Sequence, residues 1–153
     1  MHLLSFDEIM PAFVERAHQM VWCDMATVDA KQRPRTRIIH PLWRDGVGYA
    51  TSLRTGPKAN DIDRNPAVSL AYVSNPSAPA YAECWADWVD DRAARIEIWE
   101  WMKSIPEPLG YDTETMFGSY DFPDLTIMRF RPWQVRLAEA GKPDALRVWR
   151  QET

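Results

Sequence analysis

Apolar residues recur at helical intervals over the first twenty positions. Phe6, Ile9, Phe13, Ala17 and Met20 fall on one side, and Ser5-Phe6-Asp7-Glu8 has capping-box spacing. The pattern predicts an amphipathic helix, interrupted early by Pro11. From Val21 the period shortens to two: Val21, Cys23, Met25 and Thr27 oppose Trp22, Asp24, Ala26 and Val28. That alternation predicts a strand ending at the polar turn Asp29 to Arg33. Pro34 to Trp43 reads as a returning strand, Arg44-Asp45-Gly46 as a tight turn, and Val47 to Ser52 as a third strand pairing back in a meander.

Further along, Lys58 to Arg64 forms a short helix that Asn65-Pro66 stops, and Ala67 to Val73 is apolar enough for a buried strand. After the break Ser74 to Pro79, Tyr81 to Val89 gives another strand. Asp90-Asp91 then caps a helix, Arg92 to Ser104, whose apolar surface is Ala94, Ile96, Ile98, Trp99 and Met102. Gly110 to Asp124 reads as a long irregular segment rich in aromatic residues, the kind of loop that serves binding more often than folding. Leu125 to Phe130, Trp133 to Ala138 and Leu146 to Trp149 finish as strands. Strands in runs, with helices inserted between them, predict a single antiparallel α+β domain over residues 1–153 that curls into a small barrel.

Composition narrows the function classes. The 153 residues are 46% hydrophobic and 26% charged, which suits a globule with an ordinary soluble surface. A net charge of -4 argues against a nucleic-acid partner, whose footprint is a basic face. Cys23 and Cys84 are the only cysteines, too few for a zinc site, and read as buried thiols. Asp87, Asp90, Asp91 and Asp124 have no histidine beside them, so no metal is expected. Ser52, Ser69 and Ser104 lack a paired base, which leaves hydrolase chemistry unsupported. The first ten residues lack a secretory pattern and no apolar run reaches bilayer length, so the expected location is the cytoplasm, away from membranes.

The stretch Pro34 to Leu70 carries the candidate chemistry. Arg37 lies on one strand, the hydroxyls of Thr51 and Ser52 end another, and Lys58 follows Gly56-Pro57 at a helix entrance. A helix N-terminus offers unpaired N–H groups and partial positive charge, so cations and hydroxyls gathered there suit a phosphate-sized dianion.

These residues also resemble a known family, the FMN-binding split barrels of the pyridoxamine 5'-phosphate oxidase-like proteins. Arg33-Pro34-Arg35 resembles the family's first hairpin, Arg37-Ile38-Ile39-His40 its flavin-lining strand, and Ala50-Thr51-Ser52 the strand under the phosphate. Lys58-Ala59, Ile62, Asn65-Pro66 and Val68-Ser69-Leu70 resemble its most recognisable run. The resemblance implies an antiparallel split β-barrel with flanking helices and an oxidoreductase using bound FMN for two-electron hydride transfer. It gives Arg37, Lys58, Thr51 and Ser52 to the FMN phosphate and Ile38, Ile39 and His40 to the ring. It further implies a homodimer with the cofactor at the interface and a small-molecule substrate. From its length and aromatic content, the segment Tyr111 to Phe122 is expected to govern substrate access together with Trp43, which reads equally as a core residue. The oxidase's C-terminal arginine-histidine substrate motif is absent from Leu146 to Arg150, so the resemblance does not extend to vitamin B6 oxidation. Related barrels bind the deazaflavin F420, whose acidic tail Arg33, Arg35 and Arg54 would meet, and others handle heme, for which His40 is the internal ligand candidate. A dimeric interaction module without a ligand is the non-enzymatic alternative.

Overall fold

Residues 1–153 are all described by a computed structural model. The first helix, α1 (Phe6–Met20), follows a short strand β1 (His2–Leu3), and Glu8 Oε2 accepts hydrogen bonds from the Ser5 hydroxyl at 2.7 Å and its N–H at 2.8 Å. Pro11 does not interrupt α1. Its ring lies on the exposed face, where water replaces the one N–H donor that the helix loses.

The antiparallel pair β2 (Cys23–Val28) and β3 (Pro34–Ile39) comes next, but the expected strand Pro34 to Trp43 breaks at His40-Pro41. Chain pairing resumes in β4 (Leu42–Arg44) and β5 (Val47–Leu53), a tight hairpin. Proline offers no N–H to a ladder, and the chain turns there from one end of the sheet to the other. The expected meander is corrected accordingly: β3 pairs only with β2, and β5 pairs with β4 and with a strand from the far end of the chain.

That strand is β8 (Leu125–Leu137), which spans both segments read from the sequence as separate strands. Pro132 falls where the ladder with β7 (Ala80–Trp88) shifts register between Glu83 and Cys84, a place where a missing N–H does no harm. One edge of β8 follows β7; its other edge holds β5 along Leu125 to Phe130 and β9 (Arg147–Arg150) along Gln134 to Leu137. With β6 (Ala67–Tyr72), the sheet order is β1-β9-β8-β7-β6-β2-β3, with β5 branching from β8 and β4 from β5. Curling this sheet leaves β3 and β5 unpaired with each other, which is the split in the barrel.

Two further helices pack on the barrel. One is α2 (Pro57–Arg64), directly after β5; the other is α3 (Arg92–Ser104), where Asp91 Oδ2 accepts from the Ala94 N–H at 2.8 Å. The short helix α4 (Thr113–Phe117) lies within the segment expected to be irregular. The barrel interior is filled by Phe13, Met25, Leu70, Phe130 and Leu137, all fully buried. A second cluster of Leu42, Trp99, Met102 and Ile127 lies under α3. No helix is long and apolar enough to cross a membrane.

His18 of α1 ties the helix to the sheet, its Nε2 accepting the Trp43 backbone N–H at 3.0 Å. Only an unprotonated nitrogen accepts, and burial pushes the imidazole below its ordinary 6.5. The folded pKa is thus depressed relative to the unfolded chain. The unfolded state binds the extra proton, so stability present above pH 6.5 is lost as the pH falls through the folded value. The melting temperature is expected to drop between pH 7 and 5, and His18→Gln to flatten that slope; thermal melts across this range check it.

Candidate functional site

Lys58 stands on the first turn of α2, whose Gly56-Pro57 entry is sharp and uncapped by any side chain. Gly56 has φ 103°, a conformation that glycine alone adopts without strain. The Lys58 ammonium is half-buried and makes no hydrogen bond or ion pair. Burial, and then the nearby charge of Arg37, push its pKa below the usual lysine value. The lysine thus lies within reach of a second positive charge and pairs with no carboxylate.

Arg37 is anchored from behind. Its Nη1 donates to Thr27 Oγ1 at 2.6 Å, and Thr27 in turn donates to Asp61 Oδ2 at 2.9 Å. Arg37 Nη2 lies 3.8 Å from the same carboxylate oxygen, and Arg64 is 3.5 Å from Asp61 Oδ1. Thr27 and Asp61 are both buried, so this relay fixes the guanidinium on the inner face of the sheet. Cross-strand register explains the placement: Arg37 sits opposite Met25 and Ile39 opposite Cys23, both inward residues, which sends Ile38 outward, while His40 lies half-buried past the end of β3. The run Arg37 to His40 is thereby divided between two faces.

Thr51 and Ser52 are divided in the same way, because successive residues of a strand face opposite sides. Ser52 is buried toward the interior, its hydroxyl donating to Leu53 O at 3.1 Å. The Thr51 hydroxyl faces α3 instead, accepting from Trp99 Nε1 and from Tyr111, each at 3.1 Å. Arg37 is near enough for its charge to act on Lys58, but the structure does not bring both hydroxyls to one point.

On the outer side of the split lies a cavity of about 360 Å³. His40 is clasped there between Trp22 and Tyr111, with ring centroids 4.5 and 4.6 Å away. Tyr111 also crosses the split: its hydroxyl accepts the Thr51 backbone N–H at 3.1 Å and lies 3.5 Å from the His40 carbonyl. Burial pushes the His40 pKa below its ordinary value, and its Nε2 is covered without a hydrogen-bond partner. Met116 and Phe117 of α4 form the outer wall, and Glu107 stands at the rim.

No family model matches the sequence, and no curated protein matches it. Solved structures do match. A protein related to general stress protein 26, of the pyridoxinephosphate oxidase family, from Clostridium acetobutylicum superposes with a TM-score of 0.73 at 14% identity, covering 96% of each chain. A pyridoxamine 5'-phosphate oxidase-related, FMN-binding protein from Nostoc punctiforme gives 0.63 at 17% identity, over 91% of this chain and 87% of its own. The heme storage protein HutZ from Vibrio cholerae gives 0.61 at 17% identity, over 84% and 91%. This chain has the pyridoxamine 5'-phosphate oxidase-like split-barrel fold. At these identities the likeness concerns the fold, and the same split barrel serves proteins of different ligands.

Within this split barrel, several residues expected near the ligand are committed elsewhere. Trp43 is core: it is 3% exposed, packs edge-on against Phe13 and donates from Nε1 to Tyr72 Oη at 2.9 Å. It gates nothing. Arg33 pairs with Asp29 at 2.8 Å, Arg35 lies 4.0 Å from that carboxylate, and Arg54 pairs with Asp63 at 2.7 Å. Sequence reading did not find Thr27, Asp61, Trp22 or Glu107. The one available signal was Thr27, a hydroxyl in register with the inward Cys23 and Met25, which needs a buried polar partner.

Proposed function

We propose that this split barrel is a flavin-dependent oxidoreductase that holds FMN by its phosphate at Lys58 and Arg37. The observation that carries this reading is the half-buried Lys58 side chain, which pairs with no carboxylate and feels the charge of Arg37. A buried charge is costly unless paired, and a phosphate dianion supplies the missing pair together with acceptors for the uncapped N–H groups of α2. The donor set therefore fits a phosphate monoester. Thr27 and Asp61 keep Arg37 directed at that anion, and Ser52 is the closing hydroxyl on the strand that leads into α2.

FMN, when bound, supplies the two-electron hydride chemistry. The protein's part is to orient and to exclude water. Outward-facing Ile38 and the backbone at His40 offer the ring a surface beside the aromatic cavity, and no acid-base side chain is required there. Trp22 and Ile38, 56% and 60% exposed on this same face, are the surface a second copy of the chain would cover, giving a homodimer with paired sites. The F420 alternative loses its support, since the arginines assigned to an acidic tail are already paired with carboxylates. Heme would need His40 as its axial ligand, and that nitrogen is covered between two aromatic rings.

Titration with FMN, read by quenching of flavin fluorescence, is expected to show saturable binding. Anaerobic addition of NADPH should then bleach the flavin absorbance if NADPH is the donor, and dithionite should do so in any case. A protein that ignores FMN at high concentration, or takes up heme with a Soret band instead, overturns the reading.

A further inference from the structure

The cavity outside the split has a chemical character opposite to that of the phosphate end. Its walls are the rings of Trp22, His40, Tyr111 and Phe117 with the thioether of Met116, and none of its lining residues is a lysine or an arginine. Glu107 is the sole acid among them and makes no hydrogen bond or ion pair. Its neighbour in the same segment, Asp112, is held by Lys103 at 3.5 Å and by the Thr115 hydroxyl, so only Glu107 keeps a free charge at the rim. Burial disfavours a competing positive charge on His40.

Aromatic faces carry negative quadrupole charge, and several of them around a cavity attract a cation that has shed part of its water. A carboxylate at the mouth adds to the same field. The size agrees: pockets of about 300 Å³ and upward enclose a molecule of one or two rings. We propose that this aromatic cavity binds a small organic cation, an alkylated or aromatic ammonium compound, through cation–π contact with Trp22 and Tyr111 and through the charge of Glu107. That such a cation is the redox substrate rests on the flavin reading, since His40 is shared between the cavity and the proposed ring surface; its binding does not.

Calorimetric titration of the full chain with benzyltrimethylammonium, benzyl alcohol and benzoate tests this. The cation is expected to bind about tenfold more tightly than the neutral alcohol, and benzoate more weakly than either. Glu107 is exposed and makes no side-chain bond, so its replacement leaves the fold intact; Trp22 stacks on His40 and lies on the face assigned to a second copy, so a thermal melt and a measurement of molecular mass accompany Trp22→Ala. Glu107→Gln should weaken the cation about three- to tenfold and leave benzyl alcohol unchanged, while Trp22→Ala should weaken the cation by a similar factor. Equal affinity for all three compounds, no binding of the cation, or an unchanged cation affinity in Glu107→Gln overturns the proposal. A separate FMN titration keeps the two readings apart: cation binding without FMN binding removes the flavin and leaves this site, and FMN binding without cation binding does the reverse.

Discussion

Lys58→Met is expected to weaken FMN binding by about 30- to 100-fold while the protein stays folded and melts at the same or a higher temperature. The two halves of this result have one cause. In the ligand-free chain the ammonium is half-buried beside Arg37 with nothing to neutralise it, so its charge opposes folding. Methionine retains much of the aliphatic stem and removes that opposition. With a phosphate present the sign reverses, because a charge-assisted hydrogen bond in a partly desolvated site contributes about 2–3 kcal/mol, and each 1.4 kcal/mol is a factor of about ten. Fluorescence titration with FMN and a thermal melt of each variant measure the two effects. A methionine variant that binds FMN as the parent does places the phosphate elsewhere. Arg37→Met would be a poorer test, since Thr27 and Asp61 would both lose a buried partner.

Gly110→Ala is the second large effect, and it concerns the wall of the cavity. A Cβ at Gly110 would lie 2.6 Å from Met102 O and 2.6 Å from the Ile105 carbonyl carbon, with the Ile105 oxygen closer still. All are backbone atoms at the end of α3, so no side chain can swing away to make room. Gly110 is also tied in place by its N–H, which donates to Pro106 O at 3.0 Å. The methyl must lift the chain off α3 and carry Tyr111 with it, breaking that residue's hydrogen bonds to Thr51. The expected cost is about 3 kcal/mol or more, in the range of severe backbone conflicts. For a chain of this size that lowers the melting temperature by roughly 6–12 °C. An alanine variant melting within a degree or so of the parent would show that the loop does not approach the helix this closely.

Local pattern carried much of the architecture. The helix Arg92–Ser104 has the limits that its cap and period imply, and the strand after Asn65-Pro66 starts as read. These features depend on neighbours along the chain, which is why they are legible. Partner choice between strands is another matter. Nothing near Val47 to Ser52 says that it pairs with Leu125 to Phe130 rather than with Pro34 to Ile39, because that choice is made by burial across the whole sheet. The site follows the same division. Arg37 and Lys58 were visible as cation types near a helix start. Their anchoring by Asp61 depends on cross-strand register, and the facing of Thr51 depends on where α3 packs. Tyr111 could be seen as one aromatic among several in a long loop; its hydroxyl's position across the split is a tertiary fact.

The length of β8 has a consequence for how the molecule is made. It is the common partner of β5, β7 and β9, so the first two of these cannot complete their ladders until the ribosome has delivered the residues from Leu125 onward. Until then Val47 to Leu53 carries a bare edge more than seventy positions upstream of its mate, and pairings so distant along the chain form slowly. The nascent polypeptide therefore holds these strands as an open sheet until the segment from Leu125 onward has emerged, and it is that segment that allows the sheet to close.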